Sequence, residues 1–153
     1  MKIPEIHPID KISFTLPEAI SLSNQLELFG FNGAKNDILR FDLVFDSGRW
    51  TEPAPLIAES VAKLFKSGTS TQSSFELNEA IENYGSTIRA TAGYNTFTVS
   101  VYCMNRFLAP TLQLLKTCLT DIIFPQKEID LMQQNALAKL KVSKEKNDFL
   151  ADV

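Results

Sequence analysis

Residues 39–45 alternate along the chain, with Leu39, Phe41, Leu43 and Phe45 on one side and Arg40 and Asp42 on the other. Successive strand residues face opposite ways, so a period of two predicts a half-buried β-strand. The alternation returns over residues 96–103, where Phe97, Val99, Val101 and Cys103 share one face and Thr96, Thr98, Ser100 and Tyr102 the other. Residues 87–92 are the expected hairpin mate, joined through Gly93, Tyr94 and Asn95. Residues 24–29 are predicted as a strand ahead of 39–45.

Four other segments repeat at the helical spacing. Over residues 56–66, Ile57, Val61, Leu64 and Phe65 make one apolar stripe. The next helix carries signals at both ends. Ser73 and Glu76 have the spacing of a capping box, Leu77, Ala80, Ile81 and Tyr84 form the stripe, and Gly85 is the stop. A third helix opens near Pro110, with Leu108, Leu112, Leu115, Leu119 and Ile122 on its predicted buried side. A fourth starts after Pro125 and runs through Ile129, Met132, Ala136 and Leu140 into a lysine-rich end. The order of strands, two helices, a hairpin and two helices predicts an α+β fold: a mostly antiparallel sheet covered by helices on one face.

At 153 residues with 44% apolar residues, one domain with an ordinary core is expected. A formal charge of -3 gives no broad positive field for a phosphate backbone or an anionic membrane, so neither nucleic acid nor membrane is an expected partner. The N-terminal stretch lacks the apolar run of a signal peptide, and no later segment is apolar for long enough to span a bilayer. The compartment is left open. Cys103 and Cys118 have neither the spacing nor the company of a metal site or a disulfide framework and are read as buried free thiols. Residues 147–153 look like the first turn of a further helix with its N-cap in place, so the natural protein is expected to continue.

Several short signatures lie in one order. Asn24, Gln25 and Leu26 stand at an Asn-Gly-Leu-like start, and Gly48-Arg49-Trp50-Thr51-Glu52 where a strand ends in G-S-x-x-E. Leu64-Phe65-Lys66-Ser67-Gly68-Thr69 is like M-L-F-x-G-T. Glu76-Leu77 with Gly85 is like E-L…G, Ile88-Arg89-Ala90 like L-N-A, and Phe124-Pro125 like a P-x-F turn. Over residues 23–150 this resembles the pitrilysin/insulinase-type zinc peptidases, a family that includes mitochondrial processing peptidase. The resemblance implies that family's metallohydrolase fold, here as a truncated domain: residues 1–22 as an N-terminal segment and 23–153 as the N-terminal portion of one peptidase-like domain.

Active members of the family carry H-x-x-E-H on the helix before G-T. Two histidines one turn apart hold zinc, and the glutamate polarises the attacking water. Counted back from Gly68 and Thr69, the resemblance puts the first histidine at Glu59, the catalytic glutamate at Ala62 and the second histidine at Lys63. The third ligand, a glutamate on a later helix, falls at Lys139, and its helper glutamate at Met132. A protonated lysine does not ligate zinc and an alanine is no base. The expectation is therefore a zinc metalloendopeptidase relative that is inactive alone, with no cofactor of its own and zinc only in an active partner. The single histidine, His7, stands beside a proline in the N-terminal tail and is read as solvated.

Glu59 and Lys63 have the favourable order of a helix ion pair. Two readings stay open: an exposed surface pair, or a cluster in which Lys63 and Lys139 meet Glu59 where a dication would sit. Lys139, Lys141, Lys144 and Lys146 alternate with acids and read as a solvated helix end. Phe29, Phe31, Phe41, Phe45, Phe65, Phe75 and Phe97 are expected in the core or on sheet faces. Ala90, Thr91 and Ala92 match the strand to whose edge substrate adds in the family, which needs only backbone pairing.

The leading expectation is a non-catalytic homologue that pairs with a zinc-bearing one, or with the second half of its own chain, and encloses peptide substrate. The alternative is a stand-alone peptide- or protein-binding module with no role in proteolysis.

Overall fold

A computed structural model of the chain describes residues 16–24, 26–33 and 36–145. His7, Gln25, Lys146 and the turn expected over 147–153 lie outside the described residues. The chain forms two compact units, Met1–Asp37 and Ile38–Val153.

In the first unit, β1 (Glu18–Ser21) and β2 (Glu27–Gly30) make an antiparallel ribbon with Ala19 opposite Phe29 and Ile20 opposite Leu28. The strand expected over 24–29 begins at Glu27, because Asn24 belongs to the turn: its Oδ1 accepts from Leu26 N at 3.3 Å. β1 carries no alternation strong enough to announce itself. Phe29 and Phe31 are both mostly exposed; Phe29 lies on β2, while Phe31 lies outside any strand and so is neither in the core nor on a sheet face as expected.

In the second unit β3 (Ile38–Phe45), β4 (Thr87–Ala92) and β5 (Phe97–Met104) form an antiparallel sheet in the order β3-β5-β4. The hairpin loop closes by Gly93 N donating to Thr96 O at 2.8 Å. β5 is central, with Val101 between Phe41 and Ile88. Val99, Val101 and Cys103 are buried on the face the alternation predicted, and Tyr102 is exposed on the other beneath the Arg40 guanidinium.

The helices are α1 (Ile57–Lys63), α2 (Ser74–Glu82), α3 (Leu108–Thr120) and α4 (Gln126–Lys144). Ser73 closes the predicted capping box, its side chain accepting from Glu76 N while Glu76 Oε2 accepts from Ser73 N at 2.8 Å. Leu77 and Ile81 of α2, Phe65 after α1, and Leu115 and Cys118 of α3 meet the β5 face in one core. A sheet with helices packed on one side is thus the observed architecture. Phe75, expected in the core or on a sheet face, is in neither place: it stands 74% exposed on α2 beside the cap rather than on the Leu77 stripe.

The expected stripe of α3 is rotated. Thr111, Leu115 and Cys118 face the core, while Leu112 and Leu119 are exposed. Reading apolar residues alone missed Thr111, which is buried because its hydroxyl is satisfied: it donates to Phe107 O at 2.7 Å and lies 2.8 Å from Ser86 Oγ. The free thiols Cys103 and Cys118 are both buried, and desolvation raises each above the usual thiol value, so both stay protonated.

Candidate functional site

The site is built around α1. Its first residue follows Leu56, a non-glycine in the left-handed region at φ 74, so the chain turns sharply into the helix. Leu56 offers no capping side chain, and Glu52 supplies the cap from upstream. Its Oε1 accepts from Leu56 N at 3.0 Å and its Oε2 from Ala58 N at 2.8 Å. A carboxylate at a helix N-terminus is electrostatically well placed, and this one holds the strained entry to α1.

A strap fixes the other end of α1. Residues 67–70 run back beside the connection between α3 and α4: Ser67 Oγ donates to Ile123 O at 2.7 Å, Ile123 N to Gly68 O at 3.0 Å, and Ser70 Oγ to Asp121 Oδ2 at 2.7 Å. Gly68 has φ +139, a conformation that side chains resist, which is why glycine stands there. The strap sets where α4 starts relative to α1.

Between α1 and α4 lies a groove of about 1080 Å³. Ile57 and Val61 from α1, with Ile129, Met132 and Leu140 from α4, give it apolar walls. Glu59, Lys63 and Lys139 line the same groove, so the fold brings together three of the four positions the sequence singled out. Met132, the expected helper position, lines it too. Ala62 is half-buried and is not among the lining residues.

Lys63 Nζ lies 2.8 Å from Glu59 Oε1, one turn along α1. The second cation on Glu59 is Arg49, whose Nη2 is 3.8 Å from Oε2. Among the described residues Lys139 makes no ion pair, although its charge reaches Glu59 through space. The hydrogen bond from Lys63 chiefly holds the Glu59 carboxyl below its ordinary value. Partial burial opposes it, and the charges of Lys63, Arg49 and Lys139 add to it. The cluster with two lysines on one carboxylate therefore takes a different form: one lysine and one arginine in contact, the second lysine across the groove.

Arg49 appeared in the sequence only as part of a motif. It sits in a loop outside any helix or strand, so no periodic pattern could have pointed to its pairing with Glu59. The loop is held by the β4–β5 hairpin: Arg49 N donates to Gly93 O at 3.0 Å and Trp50 N to Tyr94 O at 3.0 Å. The Arg49 guanidinium lies 5.7 Å from the Tyr94 ring centre, and the Trp50 and Tyr94 rings 6.2 Å apart.

Ala90, Thr91 and Ala92 are in β4, an edge of the three-stranded sheet, against which α1 packs. Thr91 is exposed, while Ala90 and Ala92 are half-buried. Among the described residues no three His, Cys, Asp or Glu side chains cluster as metal ligands do, and no helix is long and apolar enough to cross a membrane.

A family described as Insulinase (Peptidase family M16) matches residues 33–152. Among solved structures, the peptidase M16 inactive domain from Pseudomonas fluorescens superposes with a TM-score of 0.80 at 16% identity, covering 89% of this chain and 34% of that one. A protease from Helicobacter pylori gives a TM-score of 0.64 at 17% identity, with 84% of this chain and 30% of that chain covered. The periplasmic protease PqqL from Escherichia coli gives 0.72 at 20% identity, with 94% and 17% covered. The chain thus spans about a third or less of these solved chains. No curated protein matches the sequence.

Proposed function

The chain belongs to the insulinase family of peptidases, peptidase family M16, and from that membership we propose that it is a non-catalytic member which binds peptide beside a zinc-bearing homologue. The observation that carries this is the occupancy of Glu59 by Lys63 at 2.8 Å, at two positions where active members hold zinc through histidines. The residues do not fit a zinc ion. One carboxylate already neutralised by an ammonium and approached by a guanidinium, with a lysine opposite, offers cations where a dication needs lone pairs. No hydrolytic step is derived for this chain, and zinc belongs to the partner.

What this chain contributes is a wall. The groove between α1 and α4 supplies apolar surface, and β4, an edge strand among the described residues, offers backbone groups to which an extended peptide can add. The partner is either a separate catalytic homologue or a second half of the same natural chain.

The test is co-purification of the intact protein with its catalytic homologue, followed by peptide cleavage assays on each alone and on the mixture. Cleavage that needs both, with zinc only in the homologue, is the expected result. Stoichiometric zinc in this protein with zinc-dependent cleavage by it alone overturns the reading. Peptide binding with no peptidase partner supports the stand-alone module instead.

A further inference from the structure

Glu59 is the only carboxylate among the described residues that line the groove, against two lysines, Lys63 and Lys139. Lys63 and Arg49 already serve Glu59. The charge left over is that of Lys139. Its neighbours one turn away on α4, Asn135, Ala136, Val142 and Ser143, carry no acid, and it makes no ion pair among the described residues. Glu128 lines the adjoining hollow with Lys63 and Lys139 and pairs with neither. Positions that in metal-bearing relatives turn lone pairs toward a cation here carry one carboxylate and two ammonium groups, Glu59, Lys63 and Lys139.

The surroundings of Lys139 narrow the ligand. Along α4 the groove lining beside it is mostly apolar and otherwise uncharged, with Met132 and Ala136 before it and Leu140 after, and Gln133 and Ser143 as the polar members. An exposed ammonium flanked by mostly apolar lining pairs best with a single negative charge that has apolar neighbours of its own. A basic segment meets repulsion from Lys63 and Lys139, and an uncharged apolar one leaves Lys139 without a counter-charge.

We propose that the groove between α1 and α4 receives an apolar peptide segment carrying one acidic side chain, whose carboxylate is met by Lys139 with Lys63 beside it. This rests on the reading of the groove as a peptide surface and names the class of peptide it selects. The groove lining continues past Lys139 in both directions, which suits an acidic residue inside the segment.

The test uses the intact protein and short fluorescent peptides, acetylated and amidated so that neither terminus is charged, with Glu, Gln or Lys at the centre of the same apolar sequence. Binding is read by fluorescence anisotropy at low salt. The Glu peptide should bind about three- to tenfold more tightly than the Gln peptide, and the Lys peptide more weakly than either. Lys139→Met should remove most of the preference, and Lys139→Glu should reverse it toward the Lys peptide. Lys139 is exposed, so neither variant threatens the fold. Equal binding of the three peptides, no binding of any, or a preference that survives Lys139→Glu overturns the proposal. Cleavage by the mixture with a catalytic homologue is measured in parallel. Partner-dependent cleavage without charge preference removes this inference and leaves the proposed function standing. Charge-selective binding without a partner does the reverse.

Discussion

Lys63 Nζ and Glu59 Oε1 stand 2.8 Å apart on successive turns of α1, with the acid on the N-terminal side. That is the order in which an ion pair also suits the helix dipole. Folding lowers the Glu59 carboxyl below its ordinary value of 4.5. The stabilisation this implies is complete above the ordinary value and is lost as pH falls through the lowered one. Both side chains are more than a third exposed or close to it, so screening limits the pair to about 0.3–0.5 kcal/mol. Glu59→Gln should therefore destabilise slightly at neutral pH and converge on the parent in acid, as followed by urea unfolding across a pH series.

Rebuilding the metal ligands tests the alignment of α1 with α4. Glu59→His, Lys63→His and Lys139→Glu together should give stoichiometric zinc after dialysis, where the parent gives none above background. Ala62 does not line the groove, so Ala62→Glu should add nothing to affinity. A triple variant that retains no zinc would place the third ligand somewhere other than Lys139.

How much of this was readable beforehand depends on the kind of signal. The Leu39 to Phe45 and Phe97 to Cys103 alternations were legible because a sheet covered on one side repeats every two residues. The Ser73 and Glu76 cap was legible because it is local. Thr111 was not, since a buried hydroxyl follows its hydrogen-bond partners and not hydropathy. Arg49 and the cap supplied by Glu52 were not, because loops bring them to α1 without any repeat. The convergence of Glu59, Lys63 and Lys139 on one groove was anticipated only through family resemblance. Periodicity alone gave no reason to connect α1 with α4.

Gly48 is pressed against the hairpin loop, where an added methyl would collide with the Tyr94 carbonyl. Gly48→Ala should cost about 1–3 kcal/mol, the usual range for overpacking. It should also shift the emission of Trp50, the sole tryptophan, because Trp50 N is bound to Tyr94 O at 3.0 Å. Thermal melts and fluorescence spectra of the same variant check both.

The buried hydroxyl pair between Ser86 and Thr111 is expected to count for more than any surface ion pair. Thr111→Val keeps the shape and leaves the Ser86 hydroxyl only its long contact to Tyr84 O at 3.5 Å, for a loss of about 1–3 kcal/mol. Adding Ser86→Ala should cost less than it does alone, because the two groups share one interaction. A double-mutant cycle by denaturant unfolding measures the coupling.

Ser73→Ala removes the acceptor for Glu76 N and should lower stability by about 1 kcal/mol. Chemical denaturation with an unchanged slope would mark the change as loss of stability alone.

The central position of β5 also bears on how the protein is made. β3 leaves the ribosome long before its partner, since Ile38 pairs with Met104 and every residue between must be synthesised first. Until then the apolar side of β3 has no strand to lie beside. The β4–β5 hairpin is local and can zip as it emerges, offering the template on which β3 is finally captured. Nascent chains halted before Phe97 should consequently be held by chaperones, and those extended past Met104 released.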